Sequence, residues 1–359
     1  MFIHYKTMVN LFILILSILM DILWGELPTS IHPVVWMGKA ISFFKVPLIT
    51  WNSKLSGLVL TIIIITIFIV TSYLTLLIAS SSVILFILVS TLLLSATFAI
   101  KSLYQSAGQV QNVLEDNVEK ARVLVSLLVS RETENLSKNE LASATVESLT
   151  ENINDSVTAP IFYVLFIGAL VMLLCAYFNI NPQYSPHNVK WLWEIKNPLT
   201  ISKYSFTLLT LPILAGVFYR VVNTLDAMVG YKTSEYRMIG YFPAKLDDVL
   251  NFLPARFTGV LVVIAAAING LDWRNSWKTM RKEASKTSSP NSGFTMAAAA
   301  GALNVQLEKP SAYKLGKFGY DLDGYIIKKA ILLTKITIIL FLILSFTMYF
   351  ILYLIVTRV

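Results

Sequence analysis

Between Leu55 and Ile100 the chain carries no Asp, Glu, Lys or Arg. A membrane-spanning helix takes about 20 apolar residues, so this run is long enough for two, and Ser80-Ser81-Ser82 near its middle supplies a turn. The pattern predicts a transmembrane hairpin. Other apolar segments occupy about 9–24, 158–178, 205–222, 257–268 and 335–356. The first follows Lys6 and resembles the apolar stretch of a signal peptide, but no small-residue cleavage pattern comes after it, so it is expected to stay as the first span. The segment 257–268, about a dozen residues, falls short of spanning length and fits a re-entrant or interfacial helix or a tight core segment.

Helical periodicity continues into the polar stretches. Leu103, Ala107, Val110, Leu114, Ala121, Val125 and Leu128 recur near helical spacing and predict one helix over about 103–129, with Glu115, Asp116, Glu119 and Arg122 on its other face. Ser137-Lys138-Asn139-Glu140 has the form of a capping box, so a second helix is expected to start there and run towards Asn152. No fixed-period repeat is visible. The expected fold is all-α: a polytopic membrane protein with about five to seven membrane-embedded helices and large cytoplasmic helical segments, forming one integral membrane domain over 1–359.

Composition agrees with the bilayer. Hydrophobic residues make up 56% of the 359 and charged residues 14%, against roughly 25% charged in a soluble domain. The net charge of +8 does not point to nucleic acid, because the basic residues lie between apolar spans and form no single stripe. If the first helix enters from outside and 257–268 does not cross, segments 25–54, 101–157, 220–256 and 271–335 share one face. They hold 24 of the 29 lysines and arginines, leaving Lys6, Lys190, Lys196, Lys203 and Arg358 opposite. The positive-inside rule then makes that face cytoplasmic, in a multi-pass protein of the cell membrane. Cys175 is the only cysteine, so neither an internal disulfide nor a cysteine metal cluster is available. His4 and His187 would lie on the other face from His32, against a histidine zinc site.

Three polar clusters are candidates for chemistry. Glu147 and Glu151 stand one helical turn apart and Asp155 continues the series. Like charges at that spacing repel, and either solvent on an acidic face or a Mg²⁺ ion carrying phosphate oxygens would relieve them. Pro160 and the next span follow at once, which places these carboxylates at the membrane surface. A second cluster comprises Arg220, Asn223, Thr224, Asp226, Gly230, Tyr231 and Lys232, then Asp247, Asp248, Asn251 and Arg256. Acids that hold a metal beside cations that neutralise phosphate are what phosphoryl transfer needs, and structural ion pairing is the other reading. In the third, Ser288-Ser289-Pro290-Asn291-Ser292-Gly293 leads into a small-residue run, either an anion-binding helix start or an ordinary turn. Gly230-Tyr231-Lys232-Thr233 lacks the arrangement of a P-loop.

In this order the segments resemble the CobD/CbiB family, the adenosylcobinamide-phosphate synthases of cobalamin biosynthesis, over about 21–324. The resemblance is carried by Asp21 with Trp24-Gly25 and His32-Pro33-Val34, Ala121-Arg122, Ser130-Arg131-Glu132-Thr133, Glu147-Ser148 with Glu151-Asn152 and Asp155, and 159–163. It continues through 223–231, Leu246-Asp247-Asp248 with Asn251 and Pro254-Ala255-Arg256, Ser289-Pro290-Asn291-Ser292-Gly293, and 300–303. Departures are Glu26-Leu27-Pro28 for the usual Asp-Pro, Glu132 for an Asp, a missing His before Ser-Pro-Asn, and Asn304 with Glu308-Lys309 where the family favours glycines.

The resemblance implies an ATP- and Mg²⁺-dependent amide ligation of (R)-1-amino-2-propanol, or its O-phosphate, to a propionate of adenosylcobyric acid. Under it the expected catalytic residues are Arg131, Glu147, Lys232 and Arg256. Ser289, Asn291, Gly293, Asn223 and Tyr231 are expected to bind the nucleotide and phosphate, and Glu151, Asp155, Asp226, Asp247 and Asp248 to hold Mg²⁺. The expected partners are these substrates and the lipid bilayer, and homo-oligomerisation or association with other enzymes of the pathway is compatible with the sequence. Two other classes compete with this reading. A transporter would place ionisable residues at mid-membrane, whereas these motifs lie outside the spans. A Mg²⁺-dependent membrane phosphotransferase would use similar carboxylates, but the aspartate-rich signature of CDP-alcohol enzymes is missing.

Overall fold

A computed structural model describes residues 2–177, 203–231, 233–310 and 312–358. His187, Lys190, Lys196 and Lys232 lie outside the described residues. In chain order the elements are α1 (Phe2–Trp24), α2 (Pro33–Ile49), α3 (Lys54–Ala79), α4 (Val83–Ser95), α5 (Ile100–Val113), α6 (Val118–Ser126) and α7 (Lys138–Ile153). A π-helical turn (Asn154–Thr158) leads into α8 (Ala159–Tyr177), followed by α9 (Lys203–Val229), α10 (Tyr241–Leu250), α11 (Phe252–Ile268), α12 (Trp273–Glu283) and α13 (Ser292–Leu303). The strands β1 (Gln306–Lys309) and β2 (Tyr313–Gly316) pair antiparallel before α14 (Gly324–Arg358).

Among the described residues five helical runs are long and apolar enough to cross a membrane: 54–79, 83–113, 138–177, 206–229 and 324–356. A sixth exists if the bent pair of α10 and α11 is one span. Two of these runs are apolar without being buried. Only 22% of the α3 window and 17% of the α14 window is enclosed by protein, and Ile62, Val70, Leu74 and Ile78 are exposed on α3 alone. Such faces are costly in water and at home among lipid tails. The chain is a multi-pass α-helical membrane protein.

The chain forms two compact units. One comprises 1–99, 160–247 and 345–359; the other comprises 100–159 and 248–344. In the first, the turn Ser80–Ser82 joins α3 to α4 as the charge-free run predicts, and the Ser82 hydroxyl accepts from the Leu85 amide. Its core packs Met37 and Ile41 of α2, Leu60 and Ile64 of α3, and Val217, Val221 and Leu225 of α9. The second unit packs α5, α6 and α7 against α13, the β-hairpin and the start of α14 through Val110, Leu114, Val125, Leu141, Ala300, Leu307 and Ile327.

Local chemistry explains where the sequence reading holds and where it fails. The capping box of α7 is complete: the Ser137 hydroxyl accepts from the Glu140 amide, and Glu140 accepts from the Ser137 amide. The single helix expected over 103–129 is two. Asn117 Oδ1 takes the Lys120 amide at 2.8 Å and starts α6 afresh, so an N-cap interrupts a hydrophobic period that continues across it. The apolar segment 257–268 extends backwards to Phe252 as α11, and its Thr258, Gly259, Val262 and Ala266 are buried in the second unit. The hairpin of β1 and β2 and the helix α2 are additions to the predicted elements.

Candidate functional site

Within the second unit, the loop between α6 and α7 is pinned from both sides. Arg122 donates through Nε and Nη2 to the Leu136 carbonyl at 3.2 and 3.1 Å, Thr133 donates to the Arg122 carbonyl, and Ser148 donates to the Leu128 carbonyl. This holds Arg131 beside a cavity of about 130 Å³ that it lines with Glu147 and Glu151 of α7, Lys309 of β1 and Tyr313 of β2. Arg131 and Glu147 lie 16 residues apart in sequence and meet at 3.3 Å, Nη2 to Oε1.

Glu147 is not on a solvated acidic face, since only 5% of it is exposed. Its Oε1 also accepts from the Ser143 hydroxyl at 2.8 Å and its Oε2 from the Tyr313 phenol at 2.9 Å. Ser143 in turn accepts from the Glu308 amide of β1, so the hairpin and α7 are stitched together at this point. Burial, the neighbouring Glu147 charge and the hydrogen bond donated to it push the Tyr313 phenol well above the ordinary tyrosine range, which keeps it a donor. Tyr313 escaped the sequence reading, and Lys309 entered it only as a departure from the family pattern. They sit more than 150 residues beyond Glu147 on strands too short to give an alternating pattern, and nothing local marks them.

Two turns beyond Glu147, the π-helical segment places buried Asn154 at the centre of a polar network. Its Nδ2 donates to Asp155 Oδ1 and to Asn251 Oδ1, both at 2.8 Å, while its Oδ1 accepts from Thr158 and Thr258. The same unit brings Arg256 to Asn291. Arg256 Nη1 donates to Asn291 Oδ1 at 3.2 Å and to the Phe252 carbonyl, and the guanidinium stands over the rings of Phe252 and Phe294. Asn291 Nδ2 donates to the Asp248 carbonyl, and its backbone amide donates to Ser289 Oγ. A Cβ at Gly293 would stand 2.0 Å from the Ala284 carbonyl oxygen, so that glycine is required by close packing.

In the first unit, Arg220 Nη1 reaches Asn223 Oδ1 and Asn223 Nδ2 reaches buried Asp247 Oδ1, each at 3.4 Å. Gly230 folds back over Asp226, leaving no space for a side chain between them, and Tyr231 beyond it is exposed. His32 caps α2: its Nδ1 accepts from the Val34 amide at 3.2 Å, and its Nε2 lies 3.9 Å from Glu26. Burial lowers the His32 pKa, Glu26 opposes that, and the charge of Arg220 lowers it further.

The five candidate metal ligands divide between the units. Asp226 and Asp247 belong to the first, and Glu151, Asp155 and Asp248 to the second. Among the described residues no three His, Cys, Asp or Glu side chains are gathered to hold an ion. Among the described residues a preformed protein cage is thus not built. Magnesium does not need one, because it usually takes one or two carboxylates, substrate phosphates and several waters.

Fold and site together define a class: a multi-pass helical membrane protein whose polar loops and helix ends carry paired acids, amides and guanidinium groups. A family model described as CobD/Cbib protein matches residues 14–181 and 201–353, and the chain belongs to that family. Among its relatives is a protein of Methanothermobacter thermautotrophicus named probable cobalamin biosynthesis protein CobD, 43% identical over 92% of this chain and 94% of its own length. Another of that name in Methanococcus aeolicus is 35% identical over 86% of this chain and 88% of its own. The cobalamin biosynthesis protein CobD of Dehalococcoides mccartyi is 33% identical, covering 85% and 86%. No solved structure matches the chain.

Proposed function

We propose that this protein acts in cobalamin biosynthesis as an adenosylcobinamide-phosphate synthase. It joins (R)-1-amino-2-propanol, or its O-phosphate, to a propionate of adenosylcobyric acid at the expense of ATP. The observation that carries this reading is the family match along nearly the whole chain. The chemistry of the residues is compatible with it. A carboxylate at neutral pH is a poor electrophile and has to be activated. Its oxygen attacks the γ-phosphorus of ATP, the bond from that phosphorus to the bridging oxygen breaks, and ADP leaves. The amine nitrogen then attacks the acyl carbon, the acyl C–O bond breaks, and phosphate departs with the proton that the nitrogen sheds.

In this proposal Arg131, Arg256 and Lys232 offset phosphoryl charge and Glu147 fixes Arg131. Ser289, Asn291 and Gly293 shape the turn that meets the nucleotide, with Asn223 and Tyr231 as further contacts. Glu151, Asp155, Asp226, Asp247 and Asp248 are the proposed Mg²⁺ ligands, one or two to an ion, and bound Mg²⁺ would neutralise developing charge on the phosphates. The exposed rings of Trp24, Trp36 and Trp273 suit either the corrin face or the lipid interface. The motif segments are proposed to face the cytoplasm.

The test is amidation of adenosylcobyric acid by the detergent-purified protein with ATP and Mg²⁺, aminopropanol and its phosphate supplied in parallel, and products read by mass. Product with one donor supports the reading and identifies the donor. No product with either, from folded protein, overturns it. Replacing Asp247→Asn together with Asp248→Asn is expected to abolish turnover while membrane insertion is kept, and full activity in that variant would sink their metal role.

A further inference from the structure

Around the cavity of the second unit, the groups differ sharply in how well they are satisfied. Glu147 has donors on both oxygens, from Arg131, Ser143 and Tyr313. Its carboxylate is taken up by these donors, and its effect is to hold the Arg131 guanidinium still. Arg131 is the reverse case. Among the described residues only Nη2 has an acceptor, while Nε and Nη1 are buried and find no hydrogen-bond partner. Buried guanidinium donors without acceptors are costly and rare, and a bound anion is a common reason for their persistence. Lys309 brings a second cation to the same lining.

We propose that this cavity is an oxyanion receptor for a phosphoryl or carboxylate group of a small substrate. Arg131 is its principal donor, Lys309 its second cation, and Tyr313 a positioning residue that acts on Arg131 through Glu147. At about 130 Å³ the space is sized for such a group, well below the roughly 300 Å³ at which pockets for whole drug-sized ligands begin. Glu151 also lines it, so Arg131 and Lys309 are balanced by two carboxylates. Preference is expected for an anion that brings a cation of its own, as a bound divalent ion or an ammonium on the same molecule. The β-hairpin thereby acquires a role in recognition. The assignment deepens the amidation reading and rests on it for the identity of the natural ligand.

The experiment is calorimetric titration of the full-length protein in detergent with inorganic phosphate and, separately, acetate, each with and without Mg²⁺. Arg131→Lys and Lys309→Gln are expected to weaken binding about tenfold or more, as loss of charge-assisted hydrogen bonds does. Tyr313→Phe, which keeps the ring, should weaken it several-fold, and should have no further effect in a Glu147→Gln background if it acts through that carboxylate. Binding of phosphate alone or of acetate alone identifies the group the cavity takes. Absence of binding by either, or Arg131→Lys and Tyr313→Phe titrating like the parent with native circular dichroism, overturns the proposal. If Tyr313→Phe weakens binding equally with and without the Glu147 carboxylate, its positioning role falls. Amide formation by protein that binds neither probe would remove this site and leave the ligase reading; binding lost in Arg131→Lys with no amide from any donor would do the opposite.

Discussion

Arg131 and Glu147 form an ion pair with side chains only 16% and 6% exposed. Removing one partner of such a pair strands the other charge, at a cost of about 3–5 kcal/mol, whereas replacing both with apolar groups of similar size is often neutral. Glu147→Ala is therefore expected to lower thermal stability in detergent strongly, and Arg131→Met with Glu147→Leu to recover most of the loss although ligand binding is gone. Equal destabilisation by the single and double changes would contradict this. His32 makes a pH-dependent contribution. Its folded-state pKa lies below the ordinary 6.5, so the neutral ring is favoured by folding. The stability it adds is present above 6.5 and is lost as pH falls through the folded value. His32→Asn keeps a capping side chain without a titrating ring, and its melting temperature should fall less than the parent's between pH 7 and pH 5.

At the scale of elements, the break between α5 and α6 depends on Asn117. Asn117→Ala should destabilise the protein by about 1 kcal/mol and raise hydrogen exchange at the first amides of α6, Lys120 above all. The spans were legible because a charge-free run of that length suits little besides a bilayer, and α7 because a capping box is a local pattern. The break was not, since Leu114 and Ala121 stay close to one helical period and hide the cap between them. The hairpin was missed because two strands of four residues give no alternation to read. The site was half legible. The polar motifs name Arg131, Glu147 and Asn291, but only folding brings Tyr313 to a carboxylate 166 residues earlier, and only folding reveals that Gly293 is needed for packing.

At the scale of the molecule, each compact unit is assembled from separated stretches of chain. In the second, the apolar faces of α5, α6 and α7 close against α13, β1, β2 and the start of α14, and the intervening chain from Pro160 to Asp247 belongs to the other unit. Chain order has a consequence for synthesis. As the ribosome delivers the polypeptide, Val110, Val125 and Leu141 emerge long before Ala300, Leu307 and Ile327 exist to cover them. Arrested nascent chains ending near residue 290 should leave 100–159 open to protease, and full-length chains released from the ribosome should protect it. Early protection would mean that the first three helices shelter one another. Otherwise this half of the protein waits, partly folded and adhesive, for roughly ten seconds or more at ordinary elongation rates, and that interval is when a chaperone has something to hold.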